Sequence, residues 1–65
     1  MSSTVKEIQS SGAIIVLADL SKWQVSPADR STARRWASGD AVALIGYRMT
    51  NLTRSNQTIQ VKGTM

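Results

Sequence analysis

The chain carries few groups able to do chemistry. It has no histidine and no cysteine, and its ionisable side chains are four carboxylates (Glu7, Asp19, Asp29, Asp40), three lysines, five arginines and Tyr47. Without histidine there is no ordinary general base, no imidazole metal ligand and no switch near neutral pH. Without cysteine there is no thiolate nucleophile or zinc thiolate, and no disulfide. A serine nucleophile would need activation by one of those carboxylates or a lysine, and none of the nine serines lies in a Gly-x-Ser-x-Gly elbow. Asp29 and Asp40 are the carboxylates one would pair for acid/base work. Asp29 follows Ser26-Pro27 and Asp40 follows Gly39, however, so they read as a helix-cap residue and a turn residue.

The remaining sites are excluded by spacing. No Asp-x-Asp-x-Asp-Gly run exists to hold calcium or magnesium, and Gly12, Gly39, Gly46 and Gly63 stand apart, without the pattern of a phosphate-cradling loop. At 65 residues the chain is also expected to lack room for a pocket of ~300 Å³ or more that buries a substrate. The sequence therefore implies a protein that is not an enzyme, with no metal, no cofactor and no small-molecule substrate.

Binding chemistry is better represented. Residues 30–65 hold six cations against Asp40 alone, whereas residues 1–29 hold two cations against three carboxylates, within a net charge of +4. A basic second half suits an anionic partner. Small barrels bind single strands by combining aromatic platforms with a basic groove. Arg30, Arg34, Arg35, Arg48 and Arg54 could follow phosphates, with Tyr47 as the platform. Trp23 and Trp36 are expected in the core instead, because the chain has no phenylalanine to fill it. The competing and preferred expectation is an interaction module that binds protein partners or itself. Ile15, Leu17, Leu20 and Ile45 could form an apolar strip, and open sheet edges at residues 4–9 and 57–62 could accept a strand.

These residues must be positioned by a small β fold. Hydrophobic residues make up 42% and charged residues 18%, which is the composition of a globular domain. Residues 13–18 are apolar on both faces and read as a central strand. Asp19 starts a reversal, and Trp23 alternates with Val25 in the returning strand. Ser26 and Pro27 suit the start of a helix over residues 29–37, with Asp29 closing a capping box and Gly39 ending it. Residues 41–45 and 47–52 read as extended on either side of a bend or bulge at Gly46, and residues 57–62 alternate with Ile59 and Val61 inward. The expected fold is mostly β: a small SH3-like or OB-like open barrel of five or six antiparallel strands, with one short helix between the third and fourth. One domain spans residues 4–62, with loose ends at 1–3 and 63–65.

Three segments carry a resemblance. Ser21-Lys22-Trp23-Gln24-Val25-Ser26-Pro27-Ala28-Asp29, Trp36-Ala37-Ser38-Gly39-Asp40-Ala41-Val42 and Tyr47-Arg48-Met49-Thr50-Asn51 resemble a recurring small bacterial domain. Its pattern is Ser-x-Trp-x-Val-x-Pro-x-Asp, then Trp-x-x-Gly-Asp-x-Val, then Tyr-x-(Leu/Met)-x-Asn. The likeness covers residues 17–60 and departs at Asp19-Leu20, where an acidic residue followed by glycine is usual, and in the short stretch from Asp40 to Tyr47. It implies a compact β-barrel, no biochemical activity and no transferable functional residue. The longest apolar run is six residues, too short to cross a membrane, and the first residues lack a basic-then-apolar leader. The cytoplasm is the expected location, although a chain whose signal had been removed would read the same.

Overall fold

The computed structural model describes residues 2–64, with the backbone only at Thr64. Alternating and β-branched runs form six strands: β1 (Ser2–Gln9), β2 (Ile14–Leu17), β3 (Lys22–Val25), β4 (Ala41–Ile45), β5 (Arg48–Asn51) and β6 (Gln57–Thr64). A 3₁₀ turn at Ser10–Gly12 joins β1 to β2. Another at Pro27–Asp29 runs into the one short helix, α1 (Arg30–Ala33), between β3 and β4. Every ladder is antiparallel, and the order β1-β2-β3-β6-β5-β4 closes on itself.

Closure corrects the expectation of an open barrel. The two longest strands each serve two neighbours. In β1, residues 2–4 pair with β4 and residues 5–9 with β2, with an irregularity between Val5 and Glu7 where the strand turns from one sheet to the other. In β6, residues 57–60 pair with β5 and residues 61–64 with β3. Eight residues are enough for a strand to bend and close both corners, so the supposed edges at 4–9 and 57–62 are the seams of the barrel. Ser2, Ser3, Gly63 and Thr64, expected to be loose, belong to these strands. Met1 and Met65 lie outside the described residues.

The core follows the pleat. Val5, Ile15, Leu17, Val25, Ala33, Trp36, Val42, Met49, Ile59 and Val61 are buried together, with Ile8, Trp23 and Leu44 packed against them. Trp36 is nearly inaccessible, and its Nε1–H donates to Gln57 Oε1 at 3.0 Å. Half-buried Trp23 donates its Nε1–H to Ser21 Oγ at 2.9 Å. Both tryptophans are thus held by core packing plus one polar partner each, as buried indoles require.

The helix is shorter than its sequence suggests. It ends at Ala33, after which the Arg35 and Trp36 N–H groups donate to Thr32 and Ala33 carbonyls in tighter i→i+3 bonds. That tightening carries Trp36 into the core. The expected capping box is also absent: Ser26 makes no side-chain cap, and Asp29 Oδ2 instead accepts the Gln60 N–H of β6 at 2.9 Å. Gly12 is what lets α1 approach. Its φ is +99°, and a Cβ there would lie 2.6 Å from the Arg30 carbonyl oxygen and 2.8 Å from the Arg34 nitrogen.

Three hairpin turns set the register. Asp19 Oδ1 accepts the Ser21 hydroxyl at 2.6 Å and N–H at 3.0 Å, while Leu20 takes a left-handed φ of 71° and donates its N–H to Leu17 O. This is a three-residue loop whose last position ordinarily favours glycine. Gly46 is no bulge: with Tyr47 it forms a two-residue hairpin loop, with Ile45 paired to Arg48. Between β5 and β6, Ser55 and Asn56 both adopt left-handed conformations beneath an Arg54 O to Gln57 N–H bond.

Candidate functional site

The structure sorts the candidate residues into three groups. Ile15 and Leu17 are fully buried in the barrel core, which removes them from any interaction surface. They lie on the inward face of β2, where an apolar run on a closed barrel has nowhere else to go. Leu20 and Ile45 are exposed, at 63% and 74%, but each sits at the tip of its own hairpin, so the four residues do not form a strip.

Arg54 is likewise removed from the phosphate-contacting set. Its Nε–H donates to Asp40 Oδ2 at 2.6 Å. Asp40, 5% exposed, also accepts the Ala37 N–H at 3.0 Å and the Asn51 Nδ2–H at 2.9 Å. Fully buried Asn51 completes the cluster: its Oδ1 accepts the Thr53 and Arg54 N–H groups at 2.9 and 3.1 Å. Burial pushes the Asp40 carboxyl up, but the Ala37 N–H, Arg54 and Asn51 outweigh it and hold its pKa below the usual value. Asp40 is therefore more than a turn residue. It ties the segment after α1 to the β5–β6 turn, and nothing in the residues around Gly39 signals that role.

The remaining cations divide by location. Arg34 and Arg35 are exposed at the end of α1, Arg34 beside Gly12. Arg30, Tyr47 and Arg48 fall on or beside one continuous surface, the outer face of β3–β6–β5. Because Val25, Met49, Ile59 and Val61 point inward, the alternate residues Lys22, Gln24, Arg48, Gln60 and Lys62 point outward. Register places Gln24 opposite Lys62 and Arg48 opposite Gln60. Thr50 and Thr58 extend the face with a hydroxyl pair at 3.0 Å. Tyr47, 70% exposed, lies at its margin, its carbonyl accepting the Val61 N–H.

Where this face meets the Pro27–Asp29 turn, the surface opens into a cleft of about 310 Å³. The chain thus has room for a concavity of a size that its length argued against, although the cleft is open to solvent rather than enclosed. Buried Val25 and Val61 line it, with Gln24, Gln60, Lys62 and Arg30 around them. The Arg30 Nε is buried and has no hydrogen-bond partner.

Reading the sequence missed Lys22, Gln24, Gln60 and Lys62. Their outward direction was available from alternation in each strand, but β3 lying beside β6 was not. No group of three or more carboxylates that could hold a metal occurs among the described residues. No helix there is long and apolar enough to cross a membrane. No family model, curated protein or solved structure matches the chain.

Proposed function

We propose that this protein is a non-catalytic barrel that binds single-stranded nucleic acid across the outer face of β3–β6–β5. The observation that carries this reading is the composition of that face: Lys22, Arg48 and Lys62 with two glutamines, two threonines and exposed Tyr47, and no carboxylate among the outward residues of its strands. Spaced cations follow a phosphate backbone, a tyrosine ring offers a stacking platform, and amides offer donors and acceptors to base edges. Glu7 and Asp19 lie on other elements and Asp40 is spent on its own cluster, while Asp29, whose Oδ2 accepts the Gln60 N–H, sets one negative charge at the margin of the face against its three cations. The preferred expectation from sequence, docking of a protein through a strand edge or apolar strip, loses its support with closure of the barrel and burial of Ile15 and Leu17.

The test is a titration of isotope-labelled protein with mixed-sequence single-stranded RNA and DNA at two salt concentrations. The amides of Gln24, Arg48, Gln60 and Lys62 should shift together with Tyr47. Arg48→Gln and Lys62→Gln should each flatten the salt slope by about one unit. If no residue of this face shifts, or if Arg34→Ala and Arg35→Ala abolish binding equally well, the reading fails. The search then returns to protein partners, beginning with a second copy of this chain.

A further inference from the structure

We infer that a single strand crosses the outer face on a diagonal, its phosphates over Lys22, Lys62 and Arg48, its bases reaching Gln24 and Gln60 on one side and Tyr47 on the other. This inference rests on the nucleic-acid reading above and gives it a path. The path follows from register. Lys22 lies opposite Thr64, Lys62 opposite Gln24, and Arg48 opposite Gln60. Each step from Lys22 to Lys62 to Arg48 therefore moves one strand across and two residues along, in the same direction both times. Diagonal neighbours of this kind stand about 7–8 Å apart, so the three cations form one evenly spaced row. All three are exposed, and the one ion pair among the described residues is Arg54–Asp40, so none of the three is neutralised by a carboxylate. Successive phosphates of an extended strand can each meet one of them.

The two flanks of this row differ. The parallel diagonal from Gln24 to Gln60 continues to Thr50 and holds only neutral donors and acceptors. Asp29 borders it, its Oδ2 accepting the Gln60 N–H. A carboxylate there repels phosphates and leaves that flank to bases, whose edges the glutamine amides can pair with. Tyr47 stands on the opposite flank. Its carbonyl accepts the Val61 N–H on the side of β6 away from β3, and its exposed ring can stack on a base turned that way. Stacking takes any base, whereas amides select among them. Only an unpaired strand can splay its bases to both flanks, so a duplex does not fit this path.

The experiment titrates isotope-labelled protein with RNA tetranucleotides, whose three linkages match the row, carrying a nitroxide spin label at the 5′ or the 3′ end. One label should broaden the Lys22 amide most and the other the Arg48 amide. Broadening centred on the same residues from both ends, or running along β6 from Thr58 to Lys62, overturns the diagonal. Lys22→Gln should flatten the salt slope as Arg48→Gln and Lys62→Gln do, by about one unit, with the same loss for every sequence. Gln24→Ala and Gln60→Ala should leave the slope unchanged and narrow the spread of affinities among adenine, cytosine and uracil tetramers. Tyr47→Ala should weaken all of them alike, about tenfold. Each of these six side chains is exposed, so the variants should fold as the wild type does. If the glutamine variants flatten the salt slope, or leave the spread untouched, the division into a phosphate row and a base flank falls. If longer strands shift the face and tetranucleotides do not, the row is not the binding unit; the face stands and the path falls. If neither shifts it, both fall.

Discussion

Arg54 and Arg30 both lie beside short turns of the same barrel, and they end in opposite states. Arg54 meets a carboxylate that is itself held by a backbone N–H and a buried asparagine amide. Arg30 lines a cleft with its Nε buried and unmatched. The first cluster is closed: its oxygens and nitrogens are satisfied by the chain, so it serves the fold. The second is open: the chain gives the Arg30 Nε–H no acceptor. Two arginines of equal intrinsic chemistry are thus divided by whether a carboxylate was folded in beside them. A buried donor left unpaired costs about 1–3 kcal/mol, and more when charged, so the open cluster weakens the fold and the closed one supports it.

The comparison breaks most completely at Gly12. Gly12→Ala forces a Cβ against the Arg30 carbonyl at positive φ, and should destabilise the protein by roughly 3 kcal/mol. A 65-residue domain holds only about 3–10 kcal/mol in total, so a large drop in melting temperature is expected by circular dichroism. A loss under ~1 kcal/mol would mean that α1 slides away freely, and that Arg30 is not fixed over the cleft.

Next comes the closed cluster. Asp40→Ala removes the acceptor for Ala37, Asn51 and Arg54, and should cost roughly 2–3 kcal/mol in urea unfolding. The same cluster predicts an acid limit. The Asp40 carboxyl is held below its ordinary value when folded, so its contribution is present in full above the unfolded pKa of about 3.9. It is lost as pH falls through the lower folded pKa. Wild-type stability should therefore decline below about pH 4, and the Asp40→Asn protein should show a shallower decline over that range.

Neutralising the two arginines gives the sharpest contrast. Arg54→Gln should destabilise by about 1 kcal/mol, moderated because its side chain is 39% exposed. Arg30→Gln should be neutral or stabilising, within about 0.5 kcal/mol, since it removes an unmatched charge. Equal losses for the two would erase the distinction between closed and open clusters. The smallest effect is expected at a turn remote from both. Leu20→Gly, which places glycine at the left-handed position, should stabilise by about 0.5–1 kcal/mol in the same unfolding assay. No gain there would mean that the exposed Leu20 side chain makes a contact worth as much as the strain.

Much of the fold was legible because it is local. The Asp19 reversal, the alternation of Trp23 with Val25 and of Ile59 with Val61, and the punctuation at Ser26-Pro27 each lie within a few residues, and six strands around one short helix follow from them. The helix end was not legible, since Arg34, Arg35 and Ala37 are good helix formers and what stops α1 is the need to bring Trp36 into the core. Of the candidate contacts, Arg30, Tyr47 and Arg48 share the surface now proposed, while Arg54 was lost to Asp40 and the outward residues of β3 and β6 were unseen.

The sequence by itself determined the strands, the inward faces of β3 and β6, the absence of histidine and cysteine chemistry, and the excess of positive charge in the second half. These depend on side-chain type and on a period of two, which the chain carries wherever it folds. Tertiary structure alone decided that the barrel closes, that Asp40, Asn51 and Arg54 meet, and that β3 lies against β6 to gather Lys22, Gln24, Gln60 and Lys62 on one face. Those outcomes depend on register between segments up to 42 residues apart, as Lys22 and Thr64 are. Register of that kind is chosen by the packing of the whole core and leaves no mark on any short stretch of the chain.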